Sequence, residues 1–570
     1  MSGEQKSNQP GSGPELSTET RLLIAFALMG LVLFATPYFF KTIAPPSPPA
    51  KKSPVSQQQS AVVTPPPPPE QPAPSEVSGE HVAAQKEQTF VVETNLYRVV
   101  LSNRGALVRE WTLKKFTDDD GKPLELVNQM SAAKVGYPFQ FDFEQKKPAV
   151  DLDHVLFQAQ PSPDGLGITY EYADGSISAR KTFRFHKNEY LTDVSADVRQ
   201  NGFVLPFLLA WRGSFGDSAD INPGNQRTIY FDINENKLKS HAAKDARNGP
   251  VTDEGNFSFV AIEDKYFAIA FQPAGAGPLR LVTFSDTVTT APGVKEQPRT
   301  GAGVASPANN DLAVFVGPKD IDILRQVNPK LVNVIDWGWF WFLAKPLFYA
   351  LHYVSNQWVH NYGWAIILVT VIINSLLFPL RLSNLKSMKK MQVLQPQIAA
   401  INEKYKGIGM RDPRKQQQNE EIMALYKKHG ANPMGGCMPM LVQIPFFYAF
   451  YKVLSVSIAL RHAEWLWVTD LSQPERLAIH VLPIIMIATQ FFMQKMTPTT
   501  SADPSQQRML LMMPLVMGFF FYNLASGLVL YYMTSNLVGI AQQWFFNKTV
   551  TPADLPPPAP VAKKQGGKRR

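Results

Sequence analysis

Cysteine is nearly absent: one in 570 residues, which excludes an intramolecular disulfide framework and any multi-cysteine zinc or iron–sulfur site. Charge is scarce too. Asp, Glu, Lys and Arg make up 18% of the chain, against about 25% in soluble proteins, which argues against a plain soluble enzyme. His154, His186 and His241 are scattered without metal-ligand spacing or a nearby nucleophile signature, so solvated or core histidines are expected, with no metal, cofactor or catalytic residue. What the chain has instead is 47 prolines, a formal net charge of +9 and a mean hydropathy of −0.13. That last value averages a polar, Pro-rich first half with a strongly apolar second half, and points to a membrane protein.

The order of compositions divides the chain. Residues 1–21 precede an uncharged stretch at 22–40 that is long enough to cross most of a bilayer of about 30 Å; an uncleaved anchor is expected there over the competing cleaved signal peptide, whose apolar core is usually about 7–15 residues. Residues 41–89 carry the runs Pro45 to Pro49 and Pro65 to Pro69 and should form an extended linker. From 90 to 332 the period becomes two, as at Phe139, Phe141 and Phe143, with Asp120-Gly121 and Asp174-Gly175 as turns. An all-β sandwich is expected. Residues 333–362 are aromatic, with Trp337, Trp339, Trp341 and Trp358, and Leu343, Leu347, Leu351 and Val354 follow at helical spacing. Such a segment suits a helix lying in the membrane–water interface, here Trp339 to His360.

Residues 363–547 hold five apolar stretches, at 363–380, 437–460, 477–492, 509–522 and 528–546, the last two separated at Asn523, Ser526 and Gly527. With the anchor, six spans result, forming a membrane α-helical bundle beside the β domain. The segment Arg381 to Lys428 carries eleven Lys/Arg against four Asp/Glu, and the tail at 548–570 ends in Lys563, Lys564, Lys568, Arg569 and Arg570. Basic flanks stay cytoplasmic. Parity then puts both termini inside and the β domain outside. Within 384–430, Met388, Met391, Leu394, Ile398, Ile401 and Tyr405 form one stripe, and Ile422, Leu425 and Tyr426 another, with Asp412-Pro413 opening the second helix. A helical hairpin is expected. The stripe suits either packing of its two helices or contact with apolar clients at Met388, Met391 and Leu394.

Polar residues recur inside the spans. Thr370 and Asn374 are four apart, as are Tyr531 and Ser535, and Tyr532 and Asn536; Gln443 and Gln490 lie on two further spans. They serve either as interhelical glue or as the walls of a wet groove.

The segments 432–439 (NPMGGCMP), 443–445 (QIP), 494–500 (QKMTPTT) with Asp503-Pro504, and 526–532 (SGLVLYY) with 535–537 (SNL) resemble those of the YidC/Oxa/Alb membrane protein insertases. An anchor followed by a large outer β domain resembles the Gram-negative bacterial branch, whose domain is a β-supersandwich like that of sugar mutarotases. The resemblance implies an inner-membrane protein that inserts and helps fold nascent membrane proteins, alone or beside the Sec translocon and the ribosome. Its groove is hydrophilic, open to cytoplasm and lipid and closed outside, with no catalytic step. Carried over by position, Thr370, Gln443, Tyr531 and Tyr532 are wall residues. The family's groove arginine falls on Asn374 here. Arg381, seven residues on, points almost the same way and is expected to supply a charge at the groove mouth, whereas Lys452 is expected to reach the outer interface. Short last spans would thin the bilayer. The basic tail suits ribosomal RNA or anionic lipid. A small-solute transporter is the alternative, although no repeated halves are evident; a sugar-modifying enzyme lacks a paired-carboxylate motif.

Overall fold

The computed structural model describes residues 81–145, 147–217, 222–275, 277–306, 310–407, 412–429, 438–497 and 504–549. The expected anchor at 22–40, most of the linker at 41–89, the motif at 432–437 and the tail beyond 549 lie outside the described residues.

Alternation builds the first half. In the strand Ile177–Phe185 every second side chain is buried, so Ile177, Ala179, Phe183 and Phe185 enter the core and the intervening residues face outward. Such strands pair antiparallel into a 10-stranded, a 5-stranded and a 4-stranded sheet. The turn at Asp174-Gly175 joins the strands Gly167–Asp174 and Ile177–Phe185, with Gly175 at φ 56°. The two larger sheets meet through Thr228 and Thr283, whose hydroxyls are 2.8 Å apart, and around Trp111, Trp211, Phe183 and Phe271. A short helix α1 (Gln129–Val135) lies within the domain, and α2 (Ile321–Val327) follows its last strand, Leu312–Pro318. Each of the three scattered histidines faces an aspartate: His154 with Asp151, His186 with Asp193 and His241 with Asp253. Among the described residues no three potential ligands gather for a metal.

The second half is helical. The aromatic segment forms α3 (Trp341–Val354) and a π-helical turn at Ser355–Val359. This helix begins two residues later than the spacing predicts and does not run unbroken to His360, which takes a left-handed φ of 51°. Next come α4 (Tyr362–Leu376), α5 (Phe378–Lys404), α6 (Arg414–Lys428), α7 (Met438–Val456), α8 (Val481–Met496), α9 (Pro504–Phe521) and α10 (Ser526–Thr549). Asn361 caps α4, its carboxamide oxygen accepting from Gly363 N and Trp364 N. Only Leu377 separates α4 from α5, since Pro379 sits at the start of α5, where its missing N–H costs no hydrogen bond.

The last helix has 24 residues, about 36 Å at 1.5 Å per residue. Among the described residues no single helix is long and apolar enough to cross a membrane; the pair Trp341–Val359 and Tyr362–Leu376, bent by 116°, passes together. α4 and α8 have 15 and 16 residues, and polar residues such as Ser535 and Asn536 dilute the apolar character of α10. Their outer faces remain apolar: Leu376 and Phe519 are each 79% exposed, and Ile372, Ile484, Phe492, Leu515 and Leu537 are also exposed. A surface so rich in large apolar side chains suits lipid rather than water.

The halves are joined by charge. Arg461, between α7 and α8, donates to Asp217 at 2.6 Å and to the Thr117 carbonyl at 2.6 Å, and the pair's side chains are 5% and 8% exposed. The α7–α8 loop therefore lies on the β-domain side.

Candidate functional site

On that side the bundle is sealed by the same loop. Gly527 N donates to Leu471 O and Ser526 N to Gln473 O, each at 2.8 Å. Trp465 lies so close to Gly363 that any side chain there would collide with its ring. Glu475 accepts from Trp467 Nε1 at 2.7 Å and from Leu482 N at 2.9 Å, holding the loop on the first turn of α8. The outer ends of α4, α8 and α10 are thereby closed.

Polar side chains then follow α4, α5 and α10 away from the seal. Nearest it, Thr370 is fully buried and its hydroxyl donates back to Ile366 O at 2.6 Å. Tyr531 is also buried, its ring stacked on Phe450 with centroids 3.9 Å apart. Asn536 donates weakly to Met486 O and Thr489 Oγ1, at 3.5 and 3.4 Å. These groups are closed in by neighbouring helices.

Farther from the seal, Asn374 and Arg381 converge on one residue of α10. Gln542 donates through Nε2 to Asn374 O at 3.0 Å and accepts at Oε1 from Arg381 Nη1 at 3.3 Å. Ser535 Oγ donates to Asn374 Oδ1 at 3.3 Å. Arg381 Nη2 also lies 3.6 Å from Met493 Sδ on α8. Room for the guanidinium comes from Gly539, where a Cβ would lie 2.7 Å from Nη2 and 2.9 Å from Nη1. Asn374, Arg381, Gln542, Gln443, Gln490 and Tyr532 are all half-buried. Tyr532 borders Phe521 and Phe447, at centroid distances of 4.9 and 6.4 Å.

Gln542 and Gly539 were not among the expected site residues. Their signal was present, because Ser535, Gly539 and Gln542 repeat at four and seven and so share one helix face. Lys452 stands apart: it pairs with Asp336 at 2.8 Å, just before α3. On the hairpin, Met391, Leu394 and Ile398 are buried against Ile422, Leu425 and Tyr426. Met388 is buried as well. Of the two uses weighed for that stripe, helix packing is the one seen.

Residues 354–553 match the family described as 60Kd inner membrane protein, and residues 89–350 match the YidC periplasmic domain. The membrane protein insertase YidC of Geobacter sp. (strain M21) is 36% identical over 483 residues, covering 80% of this chain and 85% of that protein. The chain belongs to the YidC family of membrane protein insertases. The YidC of Wolinella succinogenes is 30% identical over 546 residues, covering 94% of this chain and 96% of its own length. A crystal structure of an active YidC insertase aligns over 82% of this chain and 94% of its own, at 18% identity and a TM-score of 0.35. As a YidC-family member, the chain is an inner-membrane protein with an all-β periplasmic domain, and it inserts membrane proteins. The transporter reading gains no support, and the relatives are named as insertases rather than as enzymes.

Proposed function

We propose that the half-buried row Asn374, Arg381, Gln542, Gln443, Gln490 and Tyr532, with the buried Ser535 behind Asn374, is the surface a nascent client meets, and that Arg381 supplies its positive charge. The carrying observation is that Gln542 bridges the Arg381 guanidinium and the backbone carbonyl of Asn374, whose own carboxamide accepts from Ser535 Oγ, so the three helices α4, α5 and α10 are linked through polar groups along the row. Lys452 is engaged with Asp336 on the β-domain side and does not compete for this role.

Insertion then needs no covalent step. The polar end of a client exchanges water for Arg381, Gln542 and Asn374, which lowers the cost of leaving the aqueous phase. Its apolar segment moves past Tyr532 into lipid, driven by about 25 cal/mol per Å² of apolar area removed from water. The seal by Leu471, Gln473 and Trp465 confines this path to the far side. Thr370, Tyr531 and Asn536, buried as they stand, are reached only when α10 parts from α4 and α8. Client contact at Met388, Met391 and Leu394 likewise requires α5 and α6 to separate. In this reading the chain has six spans with both termini cytoplasmic. It works alone or with the Sec translocon and the ribosome, and its basic tail meets ribosomal RNA or anionic lipid.

An insertion assay with an acidic-tailed single-span client tests the assignment. Arg381→Ala should cut the yield severalfold and Arg381→Lys should restore part of it. Wild-type yield from Arg381→Ala, with failure of Asn374→Ala, would transfer the role to Asn374. Photocrosslinkers at Tyr532 and Gln443 should label the client's spanning segment.

A further inference from the structure

A second polar concavity lies away from the insertion row. Between the strands Arg227–Asp232 and Lys237–Ala242 at the rim of the 10-stranded sheet and the segment leading into α3, a cavity of about 310 Å³ opens to the surface. Its walls include Arg227, Lys239, Asp336, Trp337, Trp341 and Lys345. The volume is at the small end of the range of about 300–1,000 Å³ usual for ligand sites.

The charges in these walls are unevenly satisfied. Glu263 at the back is bonded to Arg227 at 2.8 Å and to Lys319 at 2.9 Å. Asp336 is bonded to Lys452 at 2.8 Å, and Lys239 to Asp232 at 3.2 Å and Glu235 at 2.7 Å. Lys345 has no such partner among the described residues; its ammonium lies 5.7 Å from the centre of the Trp341 ring, one helical turn back. The wall acids are thus already neutralised, and what remains facing the cavity, among the described residues, is one free cation. That calls for an anion rich in oxygen acceptors.

Its place selects the anion. One wall is the start of α3, where Trp339, Trp341 and Phe342 are all largely exposed. Aromatic side chains of this kind settle at headgroup depth, with Lys beside them reaching outward. We propose that this cavity binds the phosphate of a glycerophospholipid headgroup from the outer leaflet, with Lys345 as its principal cation. The proposal rests on the reading of α3 as an interfacial helix. The lipid would span the seam between the β domain and α3 and tie the domain to the membrane surface.

Native mass spectrometry of the full chain, titrated with dioleoyl phosphatidylglycerol or with inorganic phosphate, tests it. Wild type should retain one tightly held lipid. K345Q should weaken that retention about tenfold, the loss of one charge-assisted contact, and K345R should recover most of it. Equal retention by wild type, K345Q and K239Q would overturn the site, and inorganic phosphate binding as tightly as the lipid would overturn the lipid assignment. A spin label at Phe342→Cys, in a Cys437→Ser background, reports the depth of α3 independently. A label fully in water would remove the interfacial reading and the proposal with it, whereas a label at headgroup depth with unchanged lipid retention would remove the lipid site alone.

Discussion

Two cations drawn out of bulk water, Lys181 in the β domain and Arg381 in the helical bundle, are held in different ways. In the domain, Lys181 occupies a core position of its strand with no exposed surface, and its ammonium donates to Phe139 O, Ala106 O and Gly105 O at 2.7, 3.1 and 3.2 Å. Every proton has an acceptor, and the Phe141 ring lies 3.9 Å away. In the bundle, Arg381 has one carboxamide oxygen and a thioether, and Gln490 and Gln543 each hold a buried carbonyl oxygen without a donor. A polar group enclosed for good needs a full set of partners. A cation proposed to exchange partners with a passing client does not hold them all, and Arg381 does not.

The largest break in this contrast is expected at the seam. Arg461→Met removes the guanidinium from buried Asp217 and should cost about 3–5 kcal/mol, as does leaving a buried charge uncompensated. Denaturant unfolding of the full chain would show it, together with protease access to the loop 457–480; an unchanged midpoint would mean that the seam is not held by this pair.

Gly539→Ala should sharpen the contrast. Alanine favours a helix over glycine by about 1 kcal/mol, so α10 should not weaken. Its Cβ would nonetheless meet the Arg381 guanidinium at 2.7–2.9 Å and Met493 Sδ at 2.8 Å. Insertion of an acidic-tailed client should therefore fall about fivefold, or about 1 kcal/mol, while thermal stability holds. Loss of both together would make the row structural rather than functional.

The remaining effect is one of pH, and it belongs to the domain. Burial pushes the Asp264 carboxyl up to about 7 against the N–H groups of Phe267, Asp217 and Tyr266 and the charge of Lys319. With a folded value above the ordinary 3.8, the folded chain binds this proton more tightly than the unfolded one. Its contribution is complete below about pH 4 and is lost as pH rises through about 7. The unfolding midpoint should drop from about pH 5 to about pH 8, and Asp264→Asn should flatten that slope. A slope that survives the substitution would assign it to another group.

Much of the site could be read from spacing. Arg381, seven residues from Asn374, follows it across the Leu377 break closely enough to reach the same partner. The partner itself, Gln542, lies inside the expected last span, where α10 turns polar, and was not singled out. The hairpin stripe fitted two uses, because an apolar face does not name what covers it. Arg461 and Asp217, 244 residues apart, left no trace, since ion pairs between distant segments have no period.

The order of polar and apolar residues along the chain settled the all-β first half, the helical second half and the face of each helix that carries polar groups, because periods of 2 and 3.6 are properties of local backbone geometry. The tertiary structure decided which polar groups are sealed and which stay half-open, where Lys452 goes, and what closes the outer end. Those outcomes depend on contacts between residues far apart in sequence: Gly363 with Trp465, Gly527 with Leu471, and Gly539 with Arg381. At each, the missing side chain lets a distant segment approach, and a glycine in the sequence does not say what will fill the space.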